Sequence, residues 1–167
     1  MGPSLESRHA PACSQLSAED ASALIGSART LRRAAEEGRA RLLLRGKNVA
    51  LLCHDETHPD AVLFRSAAHE LGANVTHLAI SLSHTSAPQE VAHTARLLGR
   101  LYDAVECQGV DFDVVLELAC HTEIAVYDGI ASKCHPTAAL SEQLDNEGVS
   151  ADNRHYLLQA ILLSTIS

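Results

Sequence analysis

Short apolar runs alternate four times with stretches of helical spacing, and that alternation restricts the chain to very few folds. Asn48 to Cys53 (NVALLC) follows Gly46 and is almost wholly apolar, the pattern of a strand buried on both faces. Asn74 to Ile80, Asp103 to Cys107 and Glu123 to Tyr127 give three more expected strands. Between them, Ala61 to Leu71, Gln89 to Tyr102 and Asp111 to Cys120 carry helical spacing, and Gly72 suits a helix C-cap. Parallel strands joined by right-handed crossovers place helices on both faces. The expected fold is therefore α/β: a three-layer α-β-α domain around a four-stranded parallel sheet.

The flanks complete the plan. Ser17 with Asp20 forms a capping box, and Leu24, Ile25, Ala28, Leu31 and Ala35 share one helical face. His135 to Leu144 is expected to be helical. Asp145 to Asp152 (DNEGVSAD) reads as a polar hinge, after which Ser150 or Asp152 caps an amphipathic last helix through Ile166. The expected division is an arm over 1–16, an α/β domain over 17–150 and a C-terminal helix over 151–167 that packs back on the domain.

Composition removes several function classes. The 167 residues carry a formal net charge of -8, and aromatics are only 3%. Such a chain repels phosphate backbones and anionic lipid and offers no stacking platform, so neither nucleic acid nor membrane is an expected partner. Five cysteines with no CxxC and no signal-peptide core fit reduced thiols in the cytoplasm.

In open parallel sheets, ligands bind beyond the carboxyl ends of the strands. The loops there read His54-Asp55-Glu56-Thr57-His58-Pro59-Asp60, Ser81 to Ser86, Gln108-Gly109, and Asp128 to Pro136. They are rich in His, Ser, Thr and carboxylates, contain one lysine and no arginine, and show no phosphate-binding glycine motif. No cofactor is expected. Zinc or another transition metal would draw on His54, His58 and His135, with Cys53, Cys134 and Asp60 nearby. His135 is also the one candidate catalytic residue, as half of a general acid–base pair.

The ordered stretches LRGKNVALL, RSAAHELGANVTHL, HTARLLGRLYDAVE and CHPTAAL resemble the carbamoyl-phosphate-binding N-terminal domain of aspartate and ornithine carbamoyltransferases. ADNRHYLLQAILLSTIS is similar to that family's last helix, which crosses back from a second, amino-acid-binding domain. The resemblance implies that this second domain is excised between Leu144 and the last helix, with the closing helix retained. It also implies a degenerate site. The family's S-T-R-T-R motif falls on Thr57, His58, Pro59, Asp60 and Ala61, its next arginine on Gln108, and its H-P-x-Q motif on His135, Pro136, Thr137 and Ala138. The old anion pocket would then consist of Thr57, His58, Asp60, Gln108, His135 and Thr137. A charge-assisted hydrogen bond contributes about 1.5–3 kcal/mol, so losing three arginines removes several powers of ten in phosphate affinity.

The expectation is thus a non-catalytic binding, assembly or regulatory protein, inactive in carbamoyl transfer on its own. The alternatives are an enzyme with repurposed His/Asp/Cys chemistry in the old pocket, or a carbamoyltransferase half completed by a partner chain. The resemblance further implies a homo-oligomer, a trimer by preference, with a protein partner as another option. His84 and Gln89 of the loop after the second strand would then reach a neighbouring subunit's pocket.

Overall fold

The structure is a computed structural model that describes residues 16–79, 81–144 and 150–166. The expected arm, apart from Leu16, and residues 145–149 of the expected hinge lie outside the described residues. Four parallel strands, β1 (Asn48–Leu52), β2 (Asn74–Leu78), β3 (Ala104–Cys107) and β4 (Ala125–Asp128), form one sheet in the order β2-β1-β3-β4. Among the described residues, five α-helices flank it: α1 (Ala18–Glu36), α2 (Pro59–Glu70), α3 (Pro88–Leu101), α4 (Phe112–Cys120) and α5 (Ser150–Thr165).

Strand side chains alternate between two cores. Val49, Leu51, Ala104, Ala125 and Tyr127 face α1, α2 and α5, while Ala50, Leu52, Val105, Cys107 and Val126 face α3 and α4. The three-layer expectation holds. Among the described residues, no helix is long and apolar enough to cross a membrane.

Local chemistry fixes the helix starts. Ser17 Oγ accepts the Asp20 N–H at 3.0 Å and donates to Asp20 Oδ2 at 2.7 Å, which begins α1. Pro59 and Pro88 open α2 and α3, where their missing N–H costs nothing. Gly72 ends the turn after α2 at φ +88°, a conformation other residues avoid.

The 135–144 segment is helical as expected, in the 3-10 form over Pro136–Gln143. Two expectations change. β2 stops at Leu78, as expected of an edge strand with one neighbour to pair with. The last helix is not amphipathic: Leu157, Leu158, Gln159, Ala160, Ile161 and Leu162 are all buried, because α5 packs against both α1 and α2. Arg29 of α1 donates to the Gln143 and Leu144 carbonyls, and Arg32 donates to Asn153 Oδ1 at 3.1 Å, tying the 3-10 helix and α5 to α1.

Candidate functional site

The carboxyl edge of the sheet carries four loops, one after each strand. The first leaves β1 through buried Cys53 and runs to the start of α2. Its turn is closed by Asp55, whose Oδ1 accepts the Thr57 N–H at 2.9 Å and the Thr57 hydroxyl at 2.6 Å. Those two bonds, the hydroxyl's first, hold the Asp55 carboxyl below its usual range. His58 is the N-cap of α2, and its Nδ1 accepts the Asp60 N–H at 3.2 Å. Pro59 contributes no N–H. At this helix start the Thr57 and Asp60 N–H groups are thus engaged within the chain, and Pro59 has none to offer.

The loop is anchored from two sides. His77 Nε2 bonds the Cys53 carbonyl at 2.9 Å, and its Nδ1 lies 3.6 Å from Glu56 Oε2. Arg65 donates to the Glu56 carbonyl at 3.1 Å. His77 plays no part in the sequence-based site, although its place in NVTHL shares the buried face of Leu51 by register.

Gln108 follows β3. Its Nε2 donates to His58 Nδ1 at 3.4 Å, while its Oε1 is buried without a hydrogen-bond partner. Asp60 Oδ2 sits 3.8 Å from the same imidazole nitrogen, with its side chain 19% exposed. The structure therefore brings His58, Asp60 and Gln108 together, with Thr57 one residue away. Ala61 is entirely buried in the core, so this position on α2 does not face the loop cluster.

His135 and Thr137 form a separate unit. His135 Nδ1 accepts the Thr137 N–H at 3.3 Å and lies 2.8 Å from Thr137 Oγ1, capping the 3-10 helix. Both residues are buried, and burial lowers the His135 pKa, favouring neutral imidazole. His54 is exposed. The suggested metal set does not assemble: among the described residues, no three His, Cys, Asp or Glu side chains are grouped to hold an ion. His58 and His135 instead cap separate helices through Nδ1.

His84 and Gln89 lie in the loop after β2 and in the first turn of α3, and both are exposed. The His84 N–H donates to Asp111 Oδ2 at 2.9 Å, and its Nδ1 approaches the same oxygen at 3.0 Å. This contact ties the loop to the start of α4 within one chain.

Sequence reasoning missed Glu106. It is fully buried on β3, level with Leu51 and Tyr127. Its Oε1 accepts the Gly129 N–H at 2.7 Å, and its Oε2 accepts the Ile130 N–H at 3.1 Å, fixing the loop after β4. Burial pushes its carboxyl up to about 8, outweighing those bonds, and the Asp128 carboxylate adds to the rise. A single Glu in a buried strand (AVEC) was the available signal.

A family profile described as the aspartate/ornithine carbamoyltransferase carbamoyl-P binding domain matches residues 8–145. The ornithine carbamoyltransferase of Cutibacterium acnes is 37% identical over 140 residues, 84% of this chain and 42% of that protein. The catabolic ornithine carbamoyltransferase of Burkholderia mallei is 36% identical over 119 residues, 71% of this chain and 35% of its own length. The solved ornithine carbamoyltransferase of Pyrococcus furiosus superposes with a TM-score of 0.66 at 26% identity, over 77% of this chain and 41% of that one. The chain thus spans about two-fifths of the length of such relatives.

Proposed function

The chain belongs to the aspartate/ornithine carbamoyltransferase family through its carbamoyl-phosphate-binding domain, and from that premise we propose that it is a non-catalytic binding, assembly or regulatory member. One observation carries this reading: the helix start that the family uses for an anion is satisfied from within. Asp55 takes both Thr57 donors, and His58 takes the Asp60 N–H. Gln108 stands where the resemblance expects an arginine, and Asp60 puts a carboxylate where it expects a threonine. An anion arriving here meets engaged Thr57 and Asp60 N–H groups and negative charge, and the nearby Arg65 guanidinium is bonded to Glu56.

In this reading α5 is the counterpart of the family's closing helix, retained because it completes the core beside α1 and α2. The protein acts in the cytoplasm, and the free thiols Cys53, Cys107, Cys120 and Cys134 suit that compartment. It self-associates, as a trimer by preference. Exposed Leu97, Leu101, Phe112 and Leu116 supply apolar surface for contacts between copies.

Two measurements test the proposal. Purified protein is assayed for carbamoyl transfer from carbamoyl phosphate to ornithine and to aspartate; no turnover is expected, and turnover with either contradicts the reading. Light scattering at micromolar concentration should give a trimer mass, whereas a strictly monomeric mass removes the assembly role.

A further inference from the structure

The segment that enters β1, Arg39 to Lys47 (RARLLLRGK), carries four cations and no carboxylate in a chain of formal net charge -8. It lies at the amino edge of the sheet, opposite the loops described above. Between Arg41 and Arg45, Leu42 and Leu43 are 57% and 52% exposed. Arg39 pairs with Glu37, and Lys47 lies 3.8 Å from Asp103. Arg41 and Arg45 are exposed, and no ion pair among the described residues reaches either of them.

The turn that presents these side chains is anchored. The Leu44 side chain is buried in the core, and its N–H donates to the Leu71 carbonyl at 2.7 Å. The Arg45 N–H donates to the Leu42 carbonyl at 3.1 Å, and the Lys47 N–H to the Leu44 carbonyl at 3.0 Å. The Asn74 N–H closes the far end on the Lys47 carbonyl at 2.8 Å. Leu44 takes the one inward place, so Leu42 and Leu43 stay at the surface. A surface held in this way gives up little conformational freedom when a partner binds.

Scattered exposed leucines are ordinary, but two adjacent ones bracketed by arginines without carboxylate partners specify a complement. It must bring apolar side chains to the leucines and carboxylates to the guanidinium groups, which bind carboxylates in a planar fork. Nucleic acid supplies the charge but would meet a chain with only 3% aromatic residues to stack on its bases. An anionic membrane extends past the patch and meets the rest of the chain, which is more acidic than the whole. A polypeptide segment touches the patch alone, and beyond a Debye length of about 8 Å the chain's other charges are screened from it.

We propose that Arg41, Leu42, Leu43 and Arg45, flanked by Arg39 and Lys47, form a docking surface for an acidic, leucine-bearing segment of another protein. The surface stands at the opposite edge from the start of α2, so it neither needs nor supports the loss of anion binding there.

The test is a titration of isotope-labelled protein followed by nuclear magnetic resonance, with a short synthetic peptide of Glu and Leu as the probe. It should give saturable shifts at the backbone amides of Arg41 to Lys47. The same peptide with Lys for Glu, or with Ser for Leu, should bind more weakly. Arg41→Gln combined with Arg45→Gln should weaken the Glu/Leu peptide about tenfold, since an exposed ion pair contributes up to about fivefold. Leu42→Ser combined with Leu43→Ser should weaken it as well. All four side chains are exposed, so both variants should fold as the parent does. No binding of the Glu/Leu peptide, equal binding of either control peptide, or unchanged affinity in both variants overturns the surface. Duplex DNA or phosphatidylserine vesicles shifting the same amides in preference to the peptide overturn it in favour of that partner. Loss of self-association in the arginine variant, without peptide binding to the parent, assigns the patch to a second copy and overturns it too. None of these outcomes bears on carbamoyl transfer, which is read at the other edge.

Discussion

Asp55 holds Thr57 by two hydrogen bonds to a single carboxylate oxygen, at 2.9 Å from the backbone N–H and 2.6 Å from the hydroxyl. A carboxylate of the chain thus engages both Thr57 donors, and the His58 cap engages the Asp60 N–H at the start of α2. The proposed loss of anion binding rests on these bonds.

Anion binding should be recoverable at the positions that face the edge. Asp60→Thr combined with Gln108→Arg removes one negative charge and adds one cation. The double variant should bind carbamoyl phosphate tenfold to about a hundredfold more tightly than the parent, the range for one charge-assisted hydrogen bond. Calorimetry on both proteins checks this, and equal affinities would show that the loop's backbone, rather than these side chains, excludes the anion. Ala61→Arg is the wrong variant, because that side chain lies inside the core.

Glu106 should make the protein less stable as pH rises. Its ordinary value is 4.5, and burial lifts it to about 8 in the fold. Between those values the folded chain keeps a proton that the unfolded chain has released. The contribution is complete below about pH 4.5 and is lost as pH climbs towards 8, with a slope of at most about 1.4 kcal/mol per pH unit. Urea melts across this window should show that slope in the parent and a flatter one in Glu106→Gln. An identical slope in the variant assigns the titration elsewhere.

Glu106→Ala should be destabilised at every pH. It strips the Gly129 and Ile130 N–H groups of their acceptor in a buried loop, at a cost of roughly 2–3 kcal/mol or more. A midpoint in urea within error of the parent would mean that the loop finds other partners.

Leu162→Ala in α5 should cost about 2–5 kcal/mol, the range for truncating a fully buried leucine. Cooperative melting with one midpoint would place α5 in the same folding unit as the sheet. A surface-like loss below about 0.5 kcal/mol would mean that the helix contributes little to the core.

Gly72→Ala should destabilise by about 1–3 kcal/mol. Gly72 sits at φ +88°, and an added Cβ would lie 2.9 Å from Leu42 Cβ and 3.3 Å from the Arg45 backbone. Thermal melting checks this, and an unchanged midpoint would show that the 42–45 turn gives way freely.

The fold was largely legible because its signals are local. NVALLC and the capping box at Ser17 each announce their element, while α2 and α3 begin at Pro59 and Pro88, one or two residues before the expected Ala61 and Gln89. Two features were not legible, for different reasons. The burial of α5 on nearly all sides depends on α1 and α2 closing over it, and a helical wheel does not contain that contact. The residues of Pro136–Gln143 marked that segment as helical without distinguishing a 3-10 from an α-helix.

At the site, residue types were legible and partnerships were not. His58 and His135 both looked available as ligands, yet each spends Nδ1 on the N–H two residues onward. Glu106 was hidden because a lone carboxylate in a buried strand says nothing of which backbone groups will face it. The meeting of Asp60, His58 and Gln108 joins two loops 50 residues apart and needed the sheet register to be seen.

The most direct test of the central claim is isothermal titration of the purified chain with carbamoyl phosphate at neutral pH. With the Thr57 donors engaged, Pro59 lacking an N–H and Gln108 in place of a cation, the account predicts binding no tighter than millimolar. Saturable micromolar binding would contradict it and restore the chain to the carbamoyl-phosphate-binding members of its family.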